Sequence, residues 1–184
     1  MCNFLIFVNT STGDYMYYVN VFFIYSILGF IFECIVNLFE HHKISSGILY
    51  GPWTPIYGIG GVLILLISRR LFKILKLNKF LEVVIALIVI AVVLTAIEYL
   101  GGHLIEKIFH TTFWDYRRFK FNFGKYICLE VTGIWVIGSL LVLYFIQPIL
   151  DKIIYMIPKF FTYLLILLMF IDGLFTVINK HLSK

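Results

Sequence analysis

Five acidic residues interrupt the long apolar stretches of this sequence: Glu33, Glu98, Glu106, Glu130 and Asp172. An ionised side chain at the centre of a bilayer costs about 2.5–3.5 kcal/mol on the insertion scale, so such groups normally face a bundle interior or a water-filled cavity. Glu33 and Glu98 lie deepest in their stretches, whereas Glu106 and Glu130 lie near the ends, close to water. Because carboxylates in apolar surroundings hold protons more tightly, the deep pair suits a proton or a cationic or zwitterionic ligand.

Small and polar residues recur at three- and four-residue steps around these carboxylates, which places each set along one helix face. If the faces converge on a shared interior, the residues predicted to bind a ligand are Glu33, Tyr57, Glu98 and Asp172. The same pattern is typical of seams where membrane helices pack and hydrogen-bond, and the sequence leaves both interpretations open. The sets are Ser26, Gly29, Glu33, Asn37 and Glu40; Ala91, Thr95, Glu98, Gly102 and Glu106; and Asp172, Thr176 and Asn179.

A secondary polar site is predicted where the third apolar stretch ends. Its members are His103, Glu106, Trp114, Asp115 and Arg117. Trp114 and Asp115, with the tyrosine that follows them, are expected to cap a helix and anchor the membrane interface. An arginine of this loop could also pair with a deep carboxylate, because the guanidinium fork matches a carboxylate; a solvated loop arginine is the alternative.

A metal site is a weaker alternative at the same place. His103, Glu106 and His110 would share a helix face and could hold a divalent cation if the helix continued that far. The three cysteines are far apart and form no metal-binding pair. We expect neither a metal nor a cofactor.

The composition indicates which elements position these residues. The 184-residue chain is 61% hydrophobic and 14% charged, and its mean hydropathy is +0.98. A soluble domain is nearer a quarter charged, whereas a bilayer-crossing helix needs about 20 apolar residues. The sequence therefore predicts an all-α polytopic transmembrane bundle in a single domain, 1–184, with about five spans at residues 19–39, 52–68, 80–105, 127–146 and 160–178.

The second span is the least regular of the five. Gly51 and Pro52 open it, and its apolar run is short, so it either crosses the membrane fully or re-enters on one side; we favour a full crossing. The basic stretch 69–79 is predicted to lie on the membrane surface as an amphipathic connector.

Two further boundaries follow from local signals. Gln147 and Pro148 are predicted to end the fourth span. In the loop 107–125, aromatic and other residues alternate at a period of two, which predicts an extended segment. The alternating residues are Phe119, Phe121 and Phe123 with Lys120, Asn122 and Gly124.

Several function classes receive no support from the sequence. It contains no His-Glu-x-x-His, Gly-x-Ser-x-Gly or Walker-type phosphate loop, so neither ATP hydrolysis nor a familiar acyl transfer is indicated. The net charge of +5 comes from short loops between apolar spans, which favours membrane anchoring over nucleic-acid binding. We expect a multi-pass protein of the cell membrane whose energy source, if it transports, is another subunit or an ion gradient.

Motifs along most of the chain resemble one family. The sequence is similar to the CmpB-like family of ABC-transporter type IV permeases. The resemblance implies a small bacterial multi-span membrane protein without an established substrate. The expected partners are the lipid bilayer and either a separate ATP-binding subunit or another membrane protein. Arg117 and Arg118 depart from the family pattern. The resemblance rests on Gly29 to Glu33, Gly51-Pro52-x-x-Pro55-Ile56-Tyr57-Gly58-x-Gly60, Glu98-Tyr99, Glu106, Trp114-Asp115-Tyr116, Asn122-x-Gly124, Cys128-Leu129 and Trp135.

Three functional hypotheses follow from these observations. The first is a transport-related membrane subunit with a carboxylate-lined site. The second is a membrane-embedded lipid-binding protein or enzyme that uses Glu98, His103, Glu106 and Asp115. The third is a non-catalytic partner of another membrane complex.

Overall fold

The computed structural model describes residues 15–41, 47 and 49–182. Helices make up almost all of this part of the chain, with one short 3-10 turn at Tyr116–Arg118. The helices are α1 (Tyr15–His41), α2 (Pro55–Ile74), α3 (Lys79–Phe109), α4 (Leu129–Leu141), a π-helical segment (Val142–Ile146), α5 (Gln147–Ile154) and α6 (Lys159–Leu182).

Among the described residues, five continuous helical stretches are long and apolar enough to cross a membrane, which confirms the predicted all-α bundle of about five spans. The second is an unbroken 20-residue helix, about 30 Å long at 1.5 Å per residue. That length matches the hydrocarbon core and fits a full crossing. The stretches are Tyr15–Phe39, Pro55–Ile74, Lys79–Phe109, Leu129–Ile154 and Lys159–Asn179.

The connector between α2 and α3 is shorter than predicted. No helix breaker follows the apolar run of α2, so the helix continues to Ile74. It therefore includes Arg69, Arg70 and Lys73, which were expected in the surface connector. Only residues 75–78 connect the two helices. Asn78 then caps α3, because its side chain accepts a hydrogen bond from the backbone N–H of Leu81 at 2.9 Å.

The predicted end of the fourth span at Gln147 and Pro148 is wrong, since the helical stretch continues to Ile154. A proline inside an α-helix lacks one N–H donor and clashes with the carbonyl four residues earlier. The π-helical segment before Pro148 widens the turn, and the Gln147 N–H donates to the carbonyl of Val142 five residues back. The wider turn therefore lets the helix pass the proline.

The chain divides into two compact units. The central unit contains residues 62–152, and the flanking unit contains residues 15–61 and 153–182. In the central unit, α3 packs along α4, and the hydroxyls of Thr95 and Thr132 are hydrogen-bonded at 2.9 Å.

The flanking unit contains α1, the first turns of α2, and α6. The Thr162 hydroxyl donates to the Asn20 side chain at 2.7 Å, joining α6 to α1. Gly58 of α2 lies against the backbone of α1: a Cβ atom there would be 2.5 Å from the carbonyl oxygen of Phe22. This close approach requires glycine at position 58.

The extended segment predicted over residues 119–124, in the loop between α3 and α4, is wrong for most of its length. Residues 119–121 form a bend and a turn, which the Asn122 side chain closes by donating to the carbonyl of Phe119 at 2.6 Å. Asn122 and Cys128 form an antiparallel β-bridge, and the Phe123 N–H donates to the carbonyl of Ile127 at 2.8 Å. Gly124 adopts a φ of +78° at the turn between them, a conformation that glycine adopts without steric cost. The loop is therefore a short hairpin held by backbone hydrogen bonds.

We expect Gly58→Ala to destabilise the protein by about 1–3 kcal/mol, because the added methyl group meets a backbone carbonyl that cannot rotate away. Gly173→Ala is the matched control: a Cβ atom there has no neighbour within 4 Å, and alanine favours the helix by up to about 1 kcal/mol. Thermal unfolding of the purified chain in detergent measures both variants. Equal melting temperatures for the two would contradict the close approach of α1 and α2.

Candidate functional site

Glu98 is the most deeply buried of the predicted site residues in the structure. Its side chain lies on α3 and is 4% exposed. The Tyr116 hydroxyl donates to Oε1 at 2.7 Å, and the Trp135 indole N–H lies beside the same carboxyl group. The second oxygen, Oε2, is buried and has no hydrogen-bond partner among the described residues. The carboxyl group is therefore fixed on one side and incompletely bonded on the other.

The rest of the predicted α3 face is a packing seam within the central unit. Thr95 is bonded to α4, as described above, and Gly102 lies directly against the ring of Tyr126. Glu106 accepts hydrogen bonds from Lys125 and from the Tyr126 hydroxyl, the latter at 2.6 Å. Most of this polar face therefore serves packing, whereas Glu98 keeps one oxygen without a hydrogen-bond partner among the described residues.

The loop that delivers Tyr116 to Glu98 is held by its own hydrogen bonds. We call residues 110–128, which join α3 to α4, the cap. The Asp115 side chain accepts from the backbone N–H of Arg117 at 3.0 Å and so starts the 3-10 turn. The backbone N–H of Tyr116 donates to the carbonyl of Lys125 at 2.9 Å. These contacts confirm the predicted capping role of Asp115 and position the Tyr116 ring over α3.

Three residues of the predicted secondary site, His103, Glu106 and Trp114, contact one side chain that the sequence analysis does not single out, Tyr126. Tyr126, 2% exposed, contacts the ring of His103 at 4.9 Å and that of Trp114 at 6.1 Å between centroids. Its hydroxyl donates to Glu106. Tyr126 lies three residues before the start of α4. Its contact with Gly102 of α3 joins residues that are distant in sequence, so the local pattern gives no signal for it.

The charges of the cap are mostly paired. The Arg117 guanidinium beside Asp115 lowers the pKa of that carboxyl to about 2, and the Glu106 carboxylate raises the pKa of Lys125. Burial raises the pKa of the Tyr126 hydroxyl. At neutral pH the two ion pairs are thus fully charged. Arg117 binds Asp115, so the side chain that reaches Glu98 from this loop is a tyrosine.

Asp172 lies in the flanking unit and binds the loop that leads into α2. It accepts hydrogen bonds from the backbone N–H groups of Tyr50 at 3.0 Å and Gly51 at 2.9 Å. The Trp53 indole N–H donates to the same carboxylate at 2.7 Å. Both oxygens are engaged, so these contacts support a structural role. The Gly51-Pro52-Trp53 sequence indicates a turn but gives no sign that Asp172 binds it.

Glu33 and Tyr57 also belong to the flanking unit. Gly29 of α1 lies against the ring of Tyr57, and the Phe32 and Tyr57 rings meet edge to face at 6.2 Å. Glu33 is partly exposed on α1. Because Glu98 lies in the central unit, a common site for all four predicted residues stays a prediction.

The histidines near the end of α3 do not continue a helical face. His110 ends the helix in the left-handed conformation, with a φ of +52°, so it leaves the face that His103 and Glu106 share. Within the described residues, no three His, Cys, Asp or Glu side chains come close enough to hold a metal ion.

Five apolar helices and a buried carboxylate define a multi-pass α-helical membrane protein. A family model described as "Putative ABC-transporter type IV" matches residues 20–177, and the chain belongs to this family. No curated protein and no solved structure matches the chain significantly. The resemblance inferred from the sequence motifs is thereby confirmed.

We expect Asp172→Asn to lower the free energy of unfolding by about 1–3 kcal/mol, since it weakens hydrogen bonds to a charged acceptor. Trp53→Phe should lower the free energy of unfolding by less. The double variant should lower it by less than the sum of the two single variants, because both disturb the same hydrogen bond between Trp53 and Asp172. Thr176→Val is the control, because the hydrogen bond from the Thr176 hydroxyl to the Asp172 carboxylate is long, at 3.4 Å, and therefore weak. Chemical unfolding in detergent measures all four variants, and strictly additive losses would disprove the Asp172–Trp53 coupling.

Proposed function

We propose that this protein is a transport-related membrane subunit in which Glu98 binds a proton or the cationic group of a ligand. The observation that carries the proposal is the buried Glu98 carboxyl group, bonded at one oxygen and without a partner at the other. Membership of an ABC-transporter type family supports the transport class.

The chemistry of Glu98 supports a positive ligand. A negative charge on a carboxylate is costly in apolar surroundings. Binding a cation compensates the charge, and binding a proton removes it. A hydroxyl can either donate or accept a hydrogen bond. Tyr116 can therefore donate to the carboxylate and accept from the protonated acid, which stabilises both states of the site.

The remaining predicted residues take different parts in this proposal. Glu33 and Tyr57 belong to the flanking unit and are proposed as further ligand-binding residues. Asp172 holds the entry of α2 in place and contributes indirectly. Energy would come from a separate ATP-binding subunit or from an ion gradient.

One observation favours a second function, a lipid-binding protein or membrane enzyme. His103, Glu106 and Trp114 gather around Tyr126 at the end of α3, where lipid headgroups meet a spanning helix. The aromatic rings on both sides of His103, Tyr99 at 4.4 Å and Tyr126 at 4.9 Å, hold its imidazole in place. Under this function His103→Gln abolishes activity, whereas under the transport function it leaves proton flux unchanged.

We expect Glu98→Gln to reduce proton flux at least tenfold in proteoliposomes that contain the full chain, an internal pH-sensitive dye and an imposed potassium diffusion potential. The amide keeps the shape of the side chain but cannot bind a proton. Tyr116→Phe should reduce flux less, because it removes one hydrogen bond and leaves the carboxyl group.

Glu82→Gln is the matched control for this experiment. Glu82 is also buried on α3, at 3% exposure, but its oxygens bind the N–H of Leu77 at 3.1 Å and the Lys79 ammonium at 3.0 Å. Its substitution should lower stability and leave flux unchanged. Full flux in folded Glu98→Gln protein would show that Glu98 is structural.

A partner is tested by purifying the tagged full-length chain from its native membranes in mild detergent. A transport subunit should co-purify with an ATP-binding protein in a fixed ratio by mass spectrometry. A different membrane complex at fixed ratio would instead favour the third hypothesis, in which the chain is a non-catalytic partner.

A further inference from the structure

The cap carries a row of basic and aromatic side chains that neither the Glu98 site nor the packing of the helices uses. The Arg118 guanidinium lies over the ring of Phe119, and the Lys120 ammonium lies over the ring of Phe121, each 5.4 Å from the ring centroid. Phe121 and Phe123 are 52% and 70% exposed. Cations and exposed rings thus alternate along a few residues.

Hydrogen bonds fix this row at the start of α4. The Leu129 N–H donates to the carbonyl of Phe121 at 3.0 Å, and the Phe121 N–H donates to the Glu130 carboxylate at 3.1 Å. The Asn122 side chain donates to the carbonyl of Phe119 at 2.6 Å. Because α4 begins at Leu129 and continues into an apolar span, the row lies at the level where a bilayer changes from acyl chains to headgroups.

The charge on the row is not compensated by the protein. Arg117 and Lys125 are paired with Asp115 and Glu106. In the part of the chain that the structure describes, Arg118 and Lys120 have no carboxylate within ion-pair distance, and both are exposed. The row therefore presents two available cations.

The geometry points to a binding site for the headgroup of an anionic phospholipid, formed by Arg118 and Lys120 with Phe121 and Phe123. The two cations bind the phosphodiester oxygens, for which arginine is well shaped. The two exposed rings insert at the acyl boundary, where aromatic side chains are favoured. The site is independent of Glu98 and of any transport activity.

The test is native mass spectrometry of the delipidated full-length chain, offered equal amounts of phosphatidylglycerol and phosphatidylcholine. We expect the wild type to retain phosphatidylglycerol preferentially. Arg118→Gln with Lys120→Gln should reduce that preference about tenfold or more, since each basic residue near an anionic surface contributes roughly fivefold. Phe121→Ser with Phe123→Ser should weaken retention of both lipids.

Lys73→Gln with Lys76→Gln is the control, because it removes two exposed cations of the same unit outside the cap. It should reduce the preference less than Arg118→Gln with Lys120→Gln does. Glycerol 1-phosphate, offered at equal concentration, should not displace the lipid if the rings contribute. Equal losses in the two charge variants, or displacement by glycerol 1-phosphate, would overturn the lipid site. If the Arg118 and Lys120 variant fails to fold, the phenylalanine variant still tests the site, because unchanged retention of phosphatidylglycerol by that variant would overturn the proposal.

Discussion

The structure depends on the cost of leaving a polar group without a partner in apolar surroundings. Segments outside helices expose backbone N–H groups that a bilayer cannot satisfy. In the described part of the chain, carboxylates on helices supply partners for such segments. Asp172 binds the loop before α2, Glu106 binds the end of the cap, and Glu130 binds the hairpin. Three of the five acidic residues that the sequence analysis considers, Asp172, Glu106 and Glu130, therefore hold loops in place through hydrogen bonds.

Glu98 shares this arrangement only in part. It fastens the cap through the Tyr116 hydroxyl, yet its second oxygen has no partner among the described residues. A carboxylate used only for packing would be expected to have both oxygens engaged, as Asp172 has. This difference between the two groups is the physical basis for proposing that Glu98, and not Asp172, binds a ligand.

The sequence was sufficient for the number of spans and for the polar face of α3, because both follow from composition and helical periodicity. It was insufficient at Gln147–Pro148, since a proline normally ends a helix and the compensating wide turn has no sequence signature. It also missed the pairing of Trp53 with Asp172, which are 119 residues apart. Contacts of this kind depend on how helices pack, and periodicity within one helix does not contain that information.

The wide turn at Val142–Ile146 has a consequence for the face that each half of the fourth span presents. One additional residue in a helix rotates everything after it by about 100°. Each residue of α5 therefore faces about the direction that the next or the previous residue would face if α4 continued as a regular α-helix. Gln147, the first residue of α5, is fully buried although it is polar, and its side chain donates to Asp151 one turn later at 2.7 Å. The π-helical segment thus sets which residues of α5 face inward.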